Sequence, residues 1–252
     1  MRWTDQAIIL SARKLGETGA VVKVFAREQG ICAGAARGAY GRTRRGLYQP
    51  GNIVHAAWSA RVEEQLGKLS CEMETPIAAF VMHDHARLLA MSSALALTEL
   101  ALATHDPHPQ LYDHLYYLLQ RLRHGLEWQQ EYVQLELVIL RESGFGLELD
   151  SCAATGTCEN LIYVSPRSGS AVSAEAGEPY KEKLLPLPSF LRDTGHGVRD
   201  TDIAQGLALT GYFLEHRLLE AHHRKMPPAR ERLAGMLSRP LIQQEKGVTE
   251  SS

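Results

Sequence analysis

The sequence has little cysteine, few aromatic residues and no uninterrupted apolar run long enough to span a lipid bilayer. Four cysteines in 252 residues, Cys32, Cys71, Cys152 and Cys158, are too few and too scattered for a disulfide framework. A reducing compartment is the expected setting. The most aliphatic stretch, Ile77 to Ala103, is broken by Asp84, Arg87, Ser92, Ser93 and Glu99, which a lipid-facing span rarely tolerates. It reads as a buried core helix. Met1 to Ile9 carries one Arg and no long apolar run, so neither a secretory nor a transit peptide is expected.

The signatures of catalysis are missing too. There is no Walker-type loop, no G-x-S-x-G and no H-E-x-x-H. His83-Asp84-His85 invites a metal reading, but residues two apart on a helix point about 200° from one another, so the two imidazoles do not meet one ion. His222-His223 meets the same objection and reads as an offset to a helix C-terminal dipole. Glu63 and Glu64 fall on an expected strand, face opposite sides and read as a solvated edge. Cys152 and Cys158 supply two thiolates where structural zinc takes four ligands. An enzyme is therefore the least supported class, and no cofactor or metal is expected.

Acid is absent from one long segment. Between Glu28 and Glu63 no Asp or Glu occurs, while Arg37, Arg42, Arg44, Arg45 and Arg61 do. Residues 1–70 hold 11 Lys and Arg against 5 Asp and Glu, a net of +6, and residues 71–252 hold 16 against 24, a net of -8. The two parts should prefer different partners. Within the basic part, Gly34 to Gly46 mixes glycines with arginines. Glycine lets backbone approach a polyanion, and guanidinium groups engage phosphate oxygens in pairs. The segment suits a nucleic-acid backbone, with Arg37, Arg42, Arg44 and Arg45 in the loop and Lys14, Lys23, Arg27 and Arg61 on flanking strands as candidate contacts. Tyr40, Tyr48 and Trp58 are the nearby candidates for base stacking.

Periodicity predicts an α+β chain. Period-2 alternation predicts strands over Gln6 to Arg13, Ala20 to Arg27, Gly30 to Ala36, Asn52 to Arg61 and Leu66 to Met73. Five short strands in 75 residues point to a small barrel of the OB-fold kind. After Pro76 the spacing turns helical, predicting helices over Ile77 to Ala103, Gln110 to Arg123 and Gln129 to Ser143 as a bundle over 77–143. Residues 144–188 read as a loop-rich insertion with a hairpin around Leu161 to Val164. Closing helices are predicted over 189–240, with Asp200 as N-cap of one and Pro228 to Leu237 as the last. Residues 241–252 read as a disordered tail.

In this order the features resemble the bacterial RecO family of recombination mediators over about residues 1–240. The likeness is carried by Ala7-Ile8-Ile9-Leu10, Leu15-Gly16-Glu17 and Gly34-Ala35-Ala36-Arg37 with Arg42, Arg44, Gly46, Leu47, Gln49 and Pro50. Leu137-Val138-Ile139-Leu140 followed by Gly144-Phe145 adds to it, as does the insertion from Cys152 to Gly169. Many members carry a four-cysteine zinc module in that insertion. The pattern falls here on Cys152, Thr155, Ser173 and Ala176, so the module is expected to be degenerate, and Ala33 stands where a lysine often precedes the glycine. The resemblance implies binding of single- and double-stranded DNA, annealing of complementary strands, contact with the acidic tail of single-strand binding protein, action with RecR, and a place in the cytoplasm with the nucleoid. Such a tail needs an apolar pocket rimmed by positive charge, for which Arg121, Arg123, Arg141 and Arg217 are available. Two other readings stay open from the residues themselves: an RNA-binding barrel, and a scaffold whose barrel docks on an acidic protein.

Overall fold

Alternation of buried and solvent-facing residues organises the first 75 positions of the computed structural model, which describes residues 1–42, 44–62, 66–192 and 199–238. Strands β1 (Arg2–Leu15), β2 (Gly19–Ala26), β3 (Gly30–Ala36), β4 (Ile53–Ser59) and β5 (Gly67–Thr75) close into a barrel in the order β1-β2-β3-β5-β4. Closure depends on the length of β1. Its first half pairs with β4, from Arg2 with Ser59 to Ile8 with Ile53, and its second half pairs with β2. An irregularity between Ile9 and Ser11 supplies the bend. The barrel closes again where β3 meets β5 in parallel, with Gly34 opposite Gly67. Neither glycine has room for a side chain: a Cβ on Gly34 would lie 2.6 Å from that of Leu69, and one on Gly67 would overlap the Trp58 indole.

The stretch read as one helix from Ile77 to Ala103 is two. Helix α1 (Ile77–Val81) ends at Met82, and Asp84 starts α2 (His85–Ala101) by accepting the Arg87 N–H at 3.0 Å. His83-Asp84-His85 therefore spans a break, and the helical angle used against a metal there does not apply. The cap itself explains Asp84. Helix α3 (Pro109–His124) begins on proline and ends at Gly125, whose φ of 69° is the left-handed cap.

Barrel and α1 to α3 form one compact unit, Met1–Trp128. Asn52 fastens it, its buried amide donating to Gly46 O and Leu47 O and accepting from Ala78 N at the start of α1. His105 N donates to Ile31 O, and Tyr112 OH to Gln6 Oε1 at 3.1 Å.

The second unit, Gln129–Ser252, contains α4 (Gln129–Glu142) and a three-stranded sheet, β6 (Leu161–Val164), β7 (Ala171–Ser173) and β8 (Leu185–Pro186), ordered β7-β6-β8. The short α5 (Ala174–Gly177) follows β7, and α6 (Asp200–Phe213) runs into a π-helical turn, Leu214–Leu219, before α7 (Pro228–Leu237). Asp200 was expected to cap α6. The cap is Arg199, and Asp202 accepts its N–H at 3.0 Å and its guanidinium at 3.2 and 3.1 Å. The expected edge at Glu63 and Glu64 and the expected tail over 241–252 lie outside the described residues.

Candidate nucleic-acid interface

Register places cations on one end of the barrel's outer surface. Arg2, Ser59, Lys68 and Ala35 are successive partners across β1, β4, β5 and β3, and all four face outward. Arg37, two residues after Ala35, carries the row past the end of β3. A shallow groove of about 250 Å³ runs along it, lined by Arg2, Arg37, Arg44 and Lys68 over a floor of Ala35, Ala57, Ser59 and Ser70 with the buried Trp58 and Leu69 beneath. Arg61 lines a neighbouring depression that shares Ser59 and Lys68. Arg2, Lys68, Arg37, Arg44 and Arg61 have no carboxylate partner among the described residues.

The loop from β3 to β4 is tied down by its own backbone. Arg44 N and Arg45 N both donate to Gly41 O, Leu47 N donates to Arg44 O, and Tyr40 N reaches Thr18 O. Ala39 and Tyr48 turn into the barrel core. The loop is thus a string of turns seated on the barrel, from which the arginine side chains project. Arg44 reaches the groove. Arg45 faces a second depression with Tyr40 and Gln49, and Arg42 and Lys14 are exposed apart from the row.

Two sequence candidates point elsewhere. Lys23 Nζ pairs with Glu99 on α2 at 2.8 Å. Arg27 donates to both oxygens of Asp113 on α3, at 2.9 Å each, and to Glu28 at 2.5 Å. The Arg27 guanidinium, by that hydrogen bond, holds the Asp113 carboxyl below the usual carboxylate range, and the carboxylates hold Arg27 protonated. These two cations clasp helices. Two rings read as stacking candidates are also interior: Trp58 is 2 % exposed and Tyr48 4 %, against 39 % for Tyr40. Sequence reading missed Arg2 and Lys68, which lie outside the acid-free segment and join the row only through pairing.

Charge reverses along the same outer face. Two rungs on from the Arg2 row, Gln6 pairs with His55 and His55 with Glu72, and Glu74 accepts from Gln6 Nε2 at 2.7 Å and faces His55 Nε2 at 3.2 Å. On β5 and its neighbours the cations of the row thus give way to carboxylates within two rungs.

In the second unit the four positions of the zinc pattern come together. Cys152 Sγ lies 3.6 Å from Ser173 Oγ and accepts Ser173 N–H at 3.3 Å, and Ser173 Oγ accepts Ala176 N–H at 3.4 Å. Burial pushes the Cys152 thiol up, but donors from Thr155, Ser173 and Ala154 outweigh it and bring it down to about 6. The donor set does not fit zinc, because two positions offer hydroxyls and Ala176 offers nothing. Among the described residues no cluster of three His, Cys, Asp or Glu is placed to hold a metal.

Of the arginines considered for a peptide rim, Arg217 stacks on Phe213 at 4.8 Å and donates to Arg167 O at 3.1 Å, pinning the β6–β7 turn. Arg141 Nε approaches Glu142 at 3.4 Å. Arg121 and Arg123 lie over Tyr117 and Phe80, 5.6 and 5.1 Å from rings that are exposed.

Residues 1–75 match a family model described as "Recombination protein O N terminal", and residues 82–227 match "Recombination protein O C terminal". The chain belongs to the RecO family. It is 47% identical over 234 residues to a protein of Rhodospirillum centenum named DNA repair protein RecO, covering 92% of this chain and 93% of that one. Proteins of the same name from Granulibacter bethesdensis and Caulobacter vibrioides are 42% and 41% identical, each covering 91% of this chain and 93% and 95% of theirs. The family is one of DNA repair and recombination proteins. Among the described residues no helix is long and apolar enough to cross a membrane.

Proposed function

We propose that this RecO-family chain is a DNA-binding recombination mediator that anneals complementary single strands and, with RecR and single-strand binding protein, helps load recombinase. The observation that carries this reading is the groove on the outer face of a closed barrel, lined by cations with no carboxylate partner among the described residues. Two DNA strands repel through their phosphates, and a surface that neutralises both backbones lowers the barrier to pairing. The strand order β1-β2-β3-β5-β4 supports an OB-type barrel, a common platform for single strands. Duplex DNA is bound by the same backbone contacts. The acidic tail of single-strand binding protein docks on the first unit beside Arg121 or Arg123, where a guanidinium already meets an exposed ring. The protein works in the cytoplasm at the nucleoid and needs no cofactor, and the degenerate zinc module is held by hydrogen bonds.

Fluorescence anisotropy with a labelled single strand at about 50 mM salt tests the first step. Tight binding that weakens steeply with salt, together with faster annealing of complementary strands, is the expected result. No binding would favour a docking scaffold, and strong preference for an RNA competitor would move the protein to RNA metabolism.

A further inference from the structure

The cross-strand row also bears on how a strand lies on this barrel. We infer that Arg2, Lys68 and Arg37 hold a single strand by its phosphates alone, running across β1, β4, β5 and β3, with its bases turned out to solvent. The inference rests on the reading that the barrel binds DNA, and it assigns Arg2 and Lys68 to the contact.

Arg2 and Lys68 flank Ser59 in register, two strand spacings apart, or about 10 Å. Arg37 and Arg44 continue the line on the far side of Lys68. A line of cations perpendicular to the strands fixes a path. The reversal of charge fixes it further: Glu72 follows Lys68 on the same face of β5 at about 13 Å, so a polyanion is turned back toward the Arg2 end.

The floor under the path decides the orientation of the bases. Single strands on barrels are usually held by bases stacked on exposed aromatic rings. Here the outward residues at the row and at the next rung are Ala33, Ala35, Ala57, Ser59 and Ser70, none with a face for stacking. The ring beneath the row, Trp58, belongs to the interior. It donates its indole N–H to Ala33 O at 2.8 Å and stacks on Trp3 at 5.9 Å. Its indole also fills the space against Gly67, so it is not free to swing outward. A phosphate meets arginine and lysine on this surface, the outward side chains between them are small, and Trp58 and Leu69, which also line the groove, are buried. Held in that way, the strand keeps its pairing edges open to a complement.

Two measurements on the full-length protein test this. The first compares the salt dependence of binding to a mixed-sequence single strand for the wild type and for Arg2→Gln with Lys68→Gln. The slope of log affinity against log salt should fall by about 0.7 per lost contact. Ser59→Glu, which sets a carboxylate between the two cations, should weaken binding more than tenfold, with thermal melting confirming that each variant is folded. The second follows permanganate oxidation of thymines in a bound thymine-rich strand, which should proceed as fast as in the free strand. A wild type that does not bind single strands overturns the DNA-binding reading and this inference with it. Binding with an unchanged slope in the double variant, or strong protection of the thymines, overturns this inference alone.

Discussion

Arg230 Nε lies 2.5 Å from Glu136 Oε1, and its Nη2 lies 2.9 Å from Glu136 Oε2 and 2.7 Å from Leu207 O, all inside the second unit. Glu136 is fully buried and Arg230 nearly so. Burial opposes the charge on Arg230, yet the facing carboxylate holds it protonated. The pair ties α7 to α4, and Thr210 Oγ1 donates a further hydrogen bond to the carboxylate. Arg230→Ala leaves the Glu136 carboxylate buried without its cation, so a loss of about 3–5 kcal/mol in urea denaturation is expected. Replacing both, Glu136→Leu with Arg230→Met, removes the two desolvation costs together, and Thr210 keeps Gly206 O as acceptor. That double variant should lie within about 2 kcal/mol of the wild type. Equal damage in the single and double variants would show that the pair is not the source.

Lys23 and Arg27 separate a structural cation from a binding one. Because both are held by carboxylates of α2 and α3, Lys23→Ala and Arg27→Ala should leave the affinity and salt slope for DNA unchanged. Arg27→Ala should lower stability at pH 7 only slightly, since solvent screens the half-exposed pair. The sign of its pH dependence follows from Asp113. A carboxyl held low in the folded state adds stability above its unfolded value, near 4, and loses it as pH falls through the lowered folded value. The gap between wild type and Arg27→Ala should therefore narrow as pH falls below the ordinary carboxylate range. A gap that widens on acidification would contradict the pairing.

Strand positions and the acid-free loop were legible in the sequence because alternation and charge are local properties. The row through Arg2 and Lys68 was not, since it exists only once β1 pairs with β4 and β4 with β5. Long-range pairing likewise claimed Lys23 and Arg27, whose partners Glu99 and Asp113 lie 76 and 86 residues away. The break at Asp84 was hidden by the apolar character of the residues on both sides, although an Asp three residues before Arg87 N is an ordinary capping signal. Trp58 read as a stacking platform because sequence order does not say which side of a strand faces the core until one neighbour is fixed, and Tyr48 because nothing local shows that a loop residue turns into the barrel.

The insertion permits a test by reconstruction. Cys152 touches Ser173, and Ser173 touches Ala176, so the fold of the insertion brings these pattern positions together. The protein as purified should carry far less than one zinc per chain. Thr155→Cys, Ser173→Cys and Ala176→Cys introduced together complete a four-thiolate set, and about one zinc per chain should then appear by elemental analysis, with a rise in melting temperature that chelator reverses. Stoichiometric zinc in the unaltered protein, or none in the rebuilt one, would refute the degenerate-module reading.

The loop arginines give the most direct test of the barrel. The turns that carry Arg42, Arg44 and Arg45 are closed by backbone groups and anchored by Asn52, and Gln49 Nε2 donates to Arg45 O, so none of these bonds uses a guanidinium. Replacing all three with Ala should leave the melting temperature close to that of the wild type. Single-strand affinity should fall and annealing should slow, to a similar degree for unrelated base sequences, because contacts to phosphate carry no sequence information. The salt slope should drop by about 0.7 for each arginine that touches a phosphate, and thus by up to about 2 for the three. Arg44 lines the groove while Arg42 and Arg45 stand off it, so Arg44→Ala should account for the largest single share. A triple variant with wild-type affinity and slope would remove the loop from the interface and leave the Arg2, Arg37, Arg61 and Lys68 surface to carry the strand.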